Sequence, residues 1–130
     1  MRPRLLAVLL GLMVAVAACS SGPEPGDLTF ELTTPNSDDG AIQFRLTSTL
    51  PNTLTGVSAG CAGCSVFSEA TSDTEILGVV TGQIRAGRLV RVFVSDVQTP
   101  EAYTASVVAV ASRDFGLTSA AQYRLSLPVE

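Results

Sequence analysis

Residues 28–33, Leu-Thr-Phe-Glu-Leu-Thr, set Leu28, Phe30 and Leu32 on one side of an extended chain and Thr29, Glu31 and Thr33 on the other. Successive side chains of a strand point to opposite faces, so this period of two marks a half-buried β-strand. Residues 35–40, Pro-Asn-Ser-Asp-Asp-Gly, follow with turn chemistry. Proline presets φ, Asn and Asp bond to their own backbone, and glycine accepts positive φ. The alternation then resumes, with Ile42, Phe44 and Leu46 opposed to Gln43, Arg45 and Thr47. Two strands joined by so short a turn are expected to pair antiparallel.

The same rhythm recurs downstream. Residues 48–65 are less regular, broken by Pro51, Asn52, Gly56, Gly60 and Gly63, with short strands expected over 54–58 and 65–68. Glu75 to Thr81 reads as a strand, and Gly82 to Gly87 as the turn into Leu89–Ser95, where Val90, Val92 and Val94 alternate with Arg91, Phe93 and Ser95. Thr99-Pro100-Glu101 is a connection. Tyr103 to Ala111 carries no charge and is expected to lie centrally in its sheet, with Arg113-Asp114-Phe115-Gly116 turning out of it. In the last strand Tyr123, Leu125, Leu127 and Val129 face inward, opposite Arg124 and Ser126. About seven or eight short strands, punctuated by turns and without a helical period, predict one all-β domain, a single antiparallel β-sandwich over residues 27–130. In size and strand rhythm it resembles immunoglobulin-like and cohesin-like modules. It lacks the core tryptophan and widely spaced cysteine pair of antibody-type domains.

The first residues follow different rules. Arg2 and Arg4 precede an almost wholly apolar run from Leu5 to Ala17, and small residues lead to Cys19. A basic start, a short apolar core and small residues form the pattern of a secretory signal peptide. A membrane-spanning helix takes about 20 apolar residues, more than this run supplies. Val16-Ala17-Ala18-Cys19 resembles the lipobox of bacterial lipoproteins. The resemblance implies cleavage after residue 18, a diacylglyceryl group on the Cys19 thiol, and membrane attachment through that lipid. Residues 20–26, Ser-Ser-Gly-Pro-Glu-Pro-Gly, then read as a flexible linker. Ser20, in place of an inner-membrane retention Asp, implies the outer membrane where the host has two.

Composition narrows the function classes. Loss of Arg2 and Arg4 with the leader leaves six arginines against twelve acidic residues, a net charge of −6. Such a domain lacks the basic stripe that nucleic-acid binding requires. The chain has no His, Trp or Lys. Without His it loses the usual general base and the commonest metal ligand; without Lys it loses Schiff-base chemistry. A non-enzymatic domain without cofactor or resident metal is the expectation.

Cys61-Ala62-Gly63-Cys64 is the chemically loaded motif of the domain. With Cys19 lipidated, one cysteine pair remains, and in an oxidising compartment a local disulfide is expected. Redox chemistry is the alternative reading of the spacing, and metal handling would need further ligands from elsewhere. Asp38, Asp39, Asn36 and Glu31 offer oxygen ligands suited to calcium, but their spacing is not that of an EF-hand, and local turn bonding is expected instead. Tyr123 is placed to hydrogen-bond across a corner of the sandwich. Arg85, Arg88 and Arg91 gather near one turn, as a solvated strand face or a small anion contact. Together these features predict a lipid-anchored envelope module that binds a protein or glycan partner through an edge strand or end loops. Residues 48–73 are the expected surface. The alternative is a thiol-redox or metal-handling lipoprotein using Cys61 and Cys64.

Overall fold

The computed structural model describes residues 22–128 as two antiparallel sheets packed face to face. Nine strands follow in chain order: β1 Gly26–Thr33, β2 Asp39–Ser48, β3 Leu54–Ala59, β4 Ser65–Ser72, β5 Glu75–Ile84, β6 Gly87–Val94, β7 Tyr103–Ser112, β8 Leu117–Thr118 and β9 Arg124–Ser126. One sheet has the order β3-β6-β1-β9 and the other β4-β5-β2-β7-β8. A 3₁₀ turn, Pro100–Ala102, precedes β7. The all-β sandwich is as expected. The strand count exceeds the expectation through β8, whose two residues are too few to leave a period in the sequence; the expected last strand is present as β9, limited to three residues.

The core fills the space between the sheets. Phe30 and Leu32 of β1 and Val90, Val92 and Val94 of β6 face Ile42, Phe44 and Leu46 of β2 and Ile76, Val80 and Ile84 of β5, all buried. The alternation read from sequence therefore identifies the buried faces correctly. Leu89 and Val90 are adjacent yet both buried. The register against β1 slips between Phe30↔Val90 and Glu31↔Arg88, so a bulge at Leu89 turns two successive side chains inward.

Two expectations about neighbours need correction. β1 and β2 do not pair: β1 lies between β6 and β9, and β2 lies between β5 and β7 in the other sheet. A period of two says which face is buried, and both sheets bury theirs against the same core. The 34–38 turn is a corner between layers. Nor is β7 central. Its outer neighbour β8 covers only Val110 and Ala111, and most of β7 is half-buried or exposed. The central strand is β2, whose Arg45 stands on the solvent face near Glu75 at 3.8 Å. An outer face open to water tolerates charge wherever the strand sits, so an uncharged run does not mark the middle of a sheet.

Strand directions give the sandwich two distinct ends. The chain enters at the end formed by residues 22–25, 49–53, 73–74 and 95–102; the far end holds 34–38, 60–64, 85–86 and 113–116. At the entry end the Val97 N–H donates to the Glu24 carbonyl at 2.8 Å, and the Glu24 N–H donates to Asp96 Oδ1 at 3.2 Å. Tyr103 Oη there donates to the Asp96 carbonyl at 2.8 Å. Gly26 packs so closely on Val97 that a Cβ would lie 2.9 Å from Val97 Cγ1. Cys19, the residues read as a leader before it, and Val129 lie outside the described residues.

Candidate binding surface

The irregular segment 48–73 supplies the outermost strand of both sheets on one side. β3 ends the four-stranded sheet and β4 the five-stranded one. Each strand is paired on a single side, β3 with β6 and β4 with β5. Unpaired strand edges carry backbone donors and acceptors open to another chain. On the opposite side the edges are the short β9 and β8.

Between β3 and β4 the chain crosses from one sheet to the other through Gly60–Cys64. The Cys61 and Cys64 sulfurs lie 2.08 Å apart, a bonded pair, with Cα atoms 5.5 Å apart. Both cysteines are half-buried against the core. The Gly60 N–H donates to the Leu89 carbonyl at 2.8 Å, which ties the loop to β6. On the other sheet Gly82, at φ +136°, packs closely under the loop: a Cβ would lie 3.1 Å from the Gly63 carbonyl oxygen and 3.3 Å from Cys64 Cα. The bridge therefore clasps the crossover onto both sheets. Among the described residues no three His, Cys, Asp or Glu side chains converge as metal ligands.

Phe67 is the aromatic landmark of this side. It stands 66% exposed on the outer face of β4, beside Val79 of β5, its register partner. Gln43, Glu69, Leu77 and Val79 surround it in a shallow depression of that face. The sequence placed Phe67 in a short strand without marking it as functional. β4 has weak alternation because residues of both its faces are exposed, so no period separated an outward aromatic from a core one.

The other candidate residues lie elsewhere. At the far end Asp39 is 1% exposed, with both carboxylate oxygens occupied. Tyr123 Oη donates to Oδ1 at 2.6 Å and Thr34 Oγ1 donates to Oδ2 at 2.6 Å; Asn36 Nδ2 donates to Tyr123 Oη at 2.8 Å. Burial, reinforced by the Asp39 carboxylate, pushes the Tyr123 hydroxyl above its ordinary pKa of 10.0. Asp39 is thus the anchor of a corner, and the expectation of local turn bonding needs correction: its carboxylate accepts from two side chains, one of them 84 positions away, because the corner brings β9 against the start of β2. Asp38 is exposed, and Glu31 lies on β1 opposite Arg88. The three arginines do not act as one patch: Arg91 pairs with Asp27 at 3.2 Å, while Arg85 and Arg88 are exposed at the far end. In the β7–β8 turn Phe115 takes φ +68° and is 92% exposed. The Phe115 N–H donates to the Ser112 carbonyl at 3.0 Å, and the Ser112 hydroxyl donates to Asp114. The Ser112 hydroxyl, more than any other contact, holds the Asp114 carboxyl below its usual range.

Compared with known proteins, the chain matches no family model, no curated protein and no solved structure.

Proposed function

We propose that this protein is a lipid-anchored module of the bacterial cell envelope, without catalytic activity, that binds a partner through its β3–β4 side. The observation that carries the reading is that one segment, residues 48–73, forms the outer strands of both sheets. It also holds the crossover between them with a disulfide. Binding residues concentrate where a rigid scaffold holds an otherwise irregular segment, and an open strand edge recruits partners by backbone pairing. The resemblance of residues 16–19 to a lipobox supports the anchor. Ser20 favours the outer membrane in a host with two. Chain entry sets the tether beside Pro51 and Asn52 at one end of the sandwich, and β3 and β4 run lengthwise from there to the far end.

The partner is an envelope protein or a glycan. Nucleic acid does not suit a domain with a net charge of −6 after the leader. Cross-linking from β4 and from β9 in intact cells tests the reading. Capture of an envelope component from β4 alone supports it, and equal or no capture from the two edges contradicts it.

A further inference from the structure

Proteins protect exposed strand edges with lysine, proline, bulges or covering elements, because a bare edge pairs with other chains. β4 has few of these devices. It contains neither Lys nor Pro, and its one charge is Glu69. Its register slips only between Ala70 and Ser72, at the hairpin end. Ser68 and Ala70 register with the buried Gly78 and Ile76, and so point toward the core layer, yet both are exposed. β4 therefore projects past the cover of the opposing sheet. A further strand, spaced about 4.8 Å away as in any sheet, has room on both faces.

The order of side chains suits one occupant in particular, the same strand from a second copy. Closed symmetric pairing requires a self-complementary patch. Antiparallel pairing of two β4 strands about Phe67 sets Phe67 against Phe67, Val66 against Ser68 and Ser65 against Glu69. Aromatic meets aromatic on the outer face, and each carboxylate meets a hydroxyl. Pairing about Glu69 opposes two carboxylates, which is destabilising. Pairing about Ser68 sets Phe67 against Glu69. That register also joins Val66 to Ala70 and separates the carboxylates, but it leaves each Glu69 against an aromatic ring; of the three, the first alone joins aromatic to aromatic and gives each carboxylate a hydroxyl partner.

We propose that two copies of this chain pair through β4, in antiparallel register centred on Phe67, to form one ten-stranded sheet across the dimer. This rests on the reading of the β3–β4 side as the interacting one and names its partner. The chain entries then emerge at opposite ends of the pair. The tether from Cys19 to Glu24, where the backbone is fastened to the domain, reaches at most about 18 Å, which lets the dimer lie along one membrane surface.

The test uses the full chain in intact cells, treated with a mild oxidant and run on non-reducing gels. Phe67→Cys is expected to give a reductant-sensitive species of twice the monomer mass. Ser65→Cys and Glu69→Cys, co-expressed under different tags, are expected to give a mixed dimer. Arg124→Cys on β9 should give none. Because the added thiol sits near the Cys61–Cys64 bridge, Phe67→Lys provides an independent measure: in mild detergent it should sediment as monomer where the parent chain is dimeric. A Phe67→Cys signal no stronger than that of Arg124→Cys, or a monomeric parent chain, overturns the dimer. Capture of a different protein by Phe67→Cys also overturns it but leaves the β3–β4 reading standing.

Discussion

Tyr123 and Asp39 stand 84 positions apart in the chain and share a 2.6 Å hydrogen bond in which the phenol donates to a nearly inaccessible carboxylate. A buried charge is tolerable only when hydrogen-bonded, and Thr34 supplies the second donor. Tyr123→Phe removes one donor and leaves the other Asp39 oxygen bonded. The expected loss is about 1–3 kcal/mol of unfolding free energy, measurable in a denaturant titration. The sign of its pH dependence follows from the raised hydroxyl pKa of Tyr123. A raised pKa favours the protonated, neutral phenol in the folded state. The stabilisation is therefore full below the unfolded pKa of 10.0 and is lost as pH rises through the higher folded value. In Tyr123→Phe that alkaline loss should be shallower. The sequence suggested a corner bond for Tyr123 but not its acceptor, since Asp38, Asp39 and Asn36 all fit a turn. Tyr103 makes a similar tie at the entry end, to the Asp96 carbonyl, and no local pattern announces it.

Elements show why faces were easier to read than neighbours. Leu28, Phe30 and Leu32 and Ile42, Phe44 and Leu46 reveal their buried sides by spacing alone, but the partners of β1 and β2 depend on where the 34–38 turn sends the chain. Close backbone approach is equally invisible to periodicity. Gly78 of β5 pairs with Phe44 of β2. A Cβ there would overlap the Phe44 ring and come within 2.9 Å of the Phe67 carbonyl oxygen. Gly78→Ala should therefore destabilise the fold by about 1–3 kcal/mol, the cost of an overpacked core, and lower its thermal midpoint. The Cys61–Cys64 pair was readable because, with Cys19 read as lipidated, the cysteine count left one bridge to make. Chain entropy for so short a ring gives a contribution of about 2 kcal/mol. Replacing both cysteines by Ser should lower stability by about that amount. Amide exchange should quicken first at Gly60, whose N–H ties the crossover to β6.

At the scale of the whole molecule, composition and the N-terminal pattern bear on the proposed setting of the protein more than on its partner. The absence of His, Lys and Trp narrows the chemistry, and Val16-Ala17-Ala18-Cys19 points to a lipid. Cys19→Ser should shift the protein from the membrane fraction to the soluble fraction after cell lysis, with the sandwich unchanged by circular dichroism. Lipid chains contribute about 0.8 kcal/mol per buried methylene, and an acidic surface offers anionic headgroups no replacement for them. The side proposed to bind was only partly visible in the sequence. Residues 48–73 stood out as irregular, while their service as the edge of both sheets is a property of topology. The most direct measurement is in-cell photo-cross-linking with the probe placed at Phe67 on β4, compared with Arg124 on β9. The account predicts a discrete cross-linked envelope species from Phe67, either a second copy or a partner, and none from Arg124. Identical patterns from the two positions, or an absence of cross-links at Phe67 in membrane-anchored protein, would contradict it.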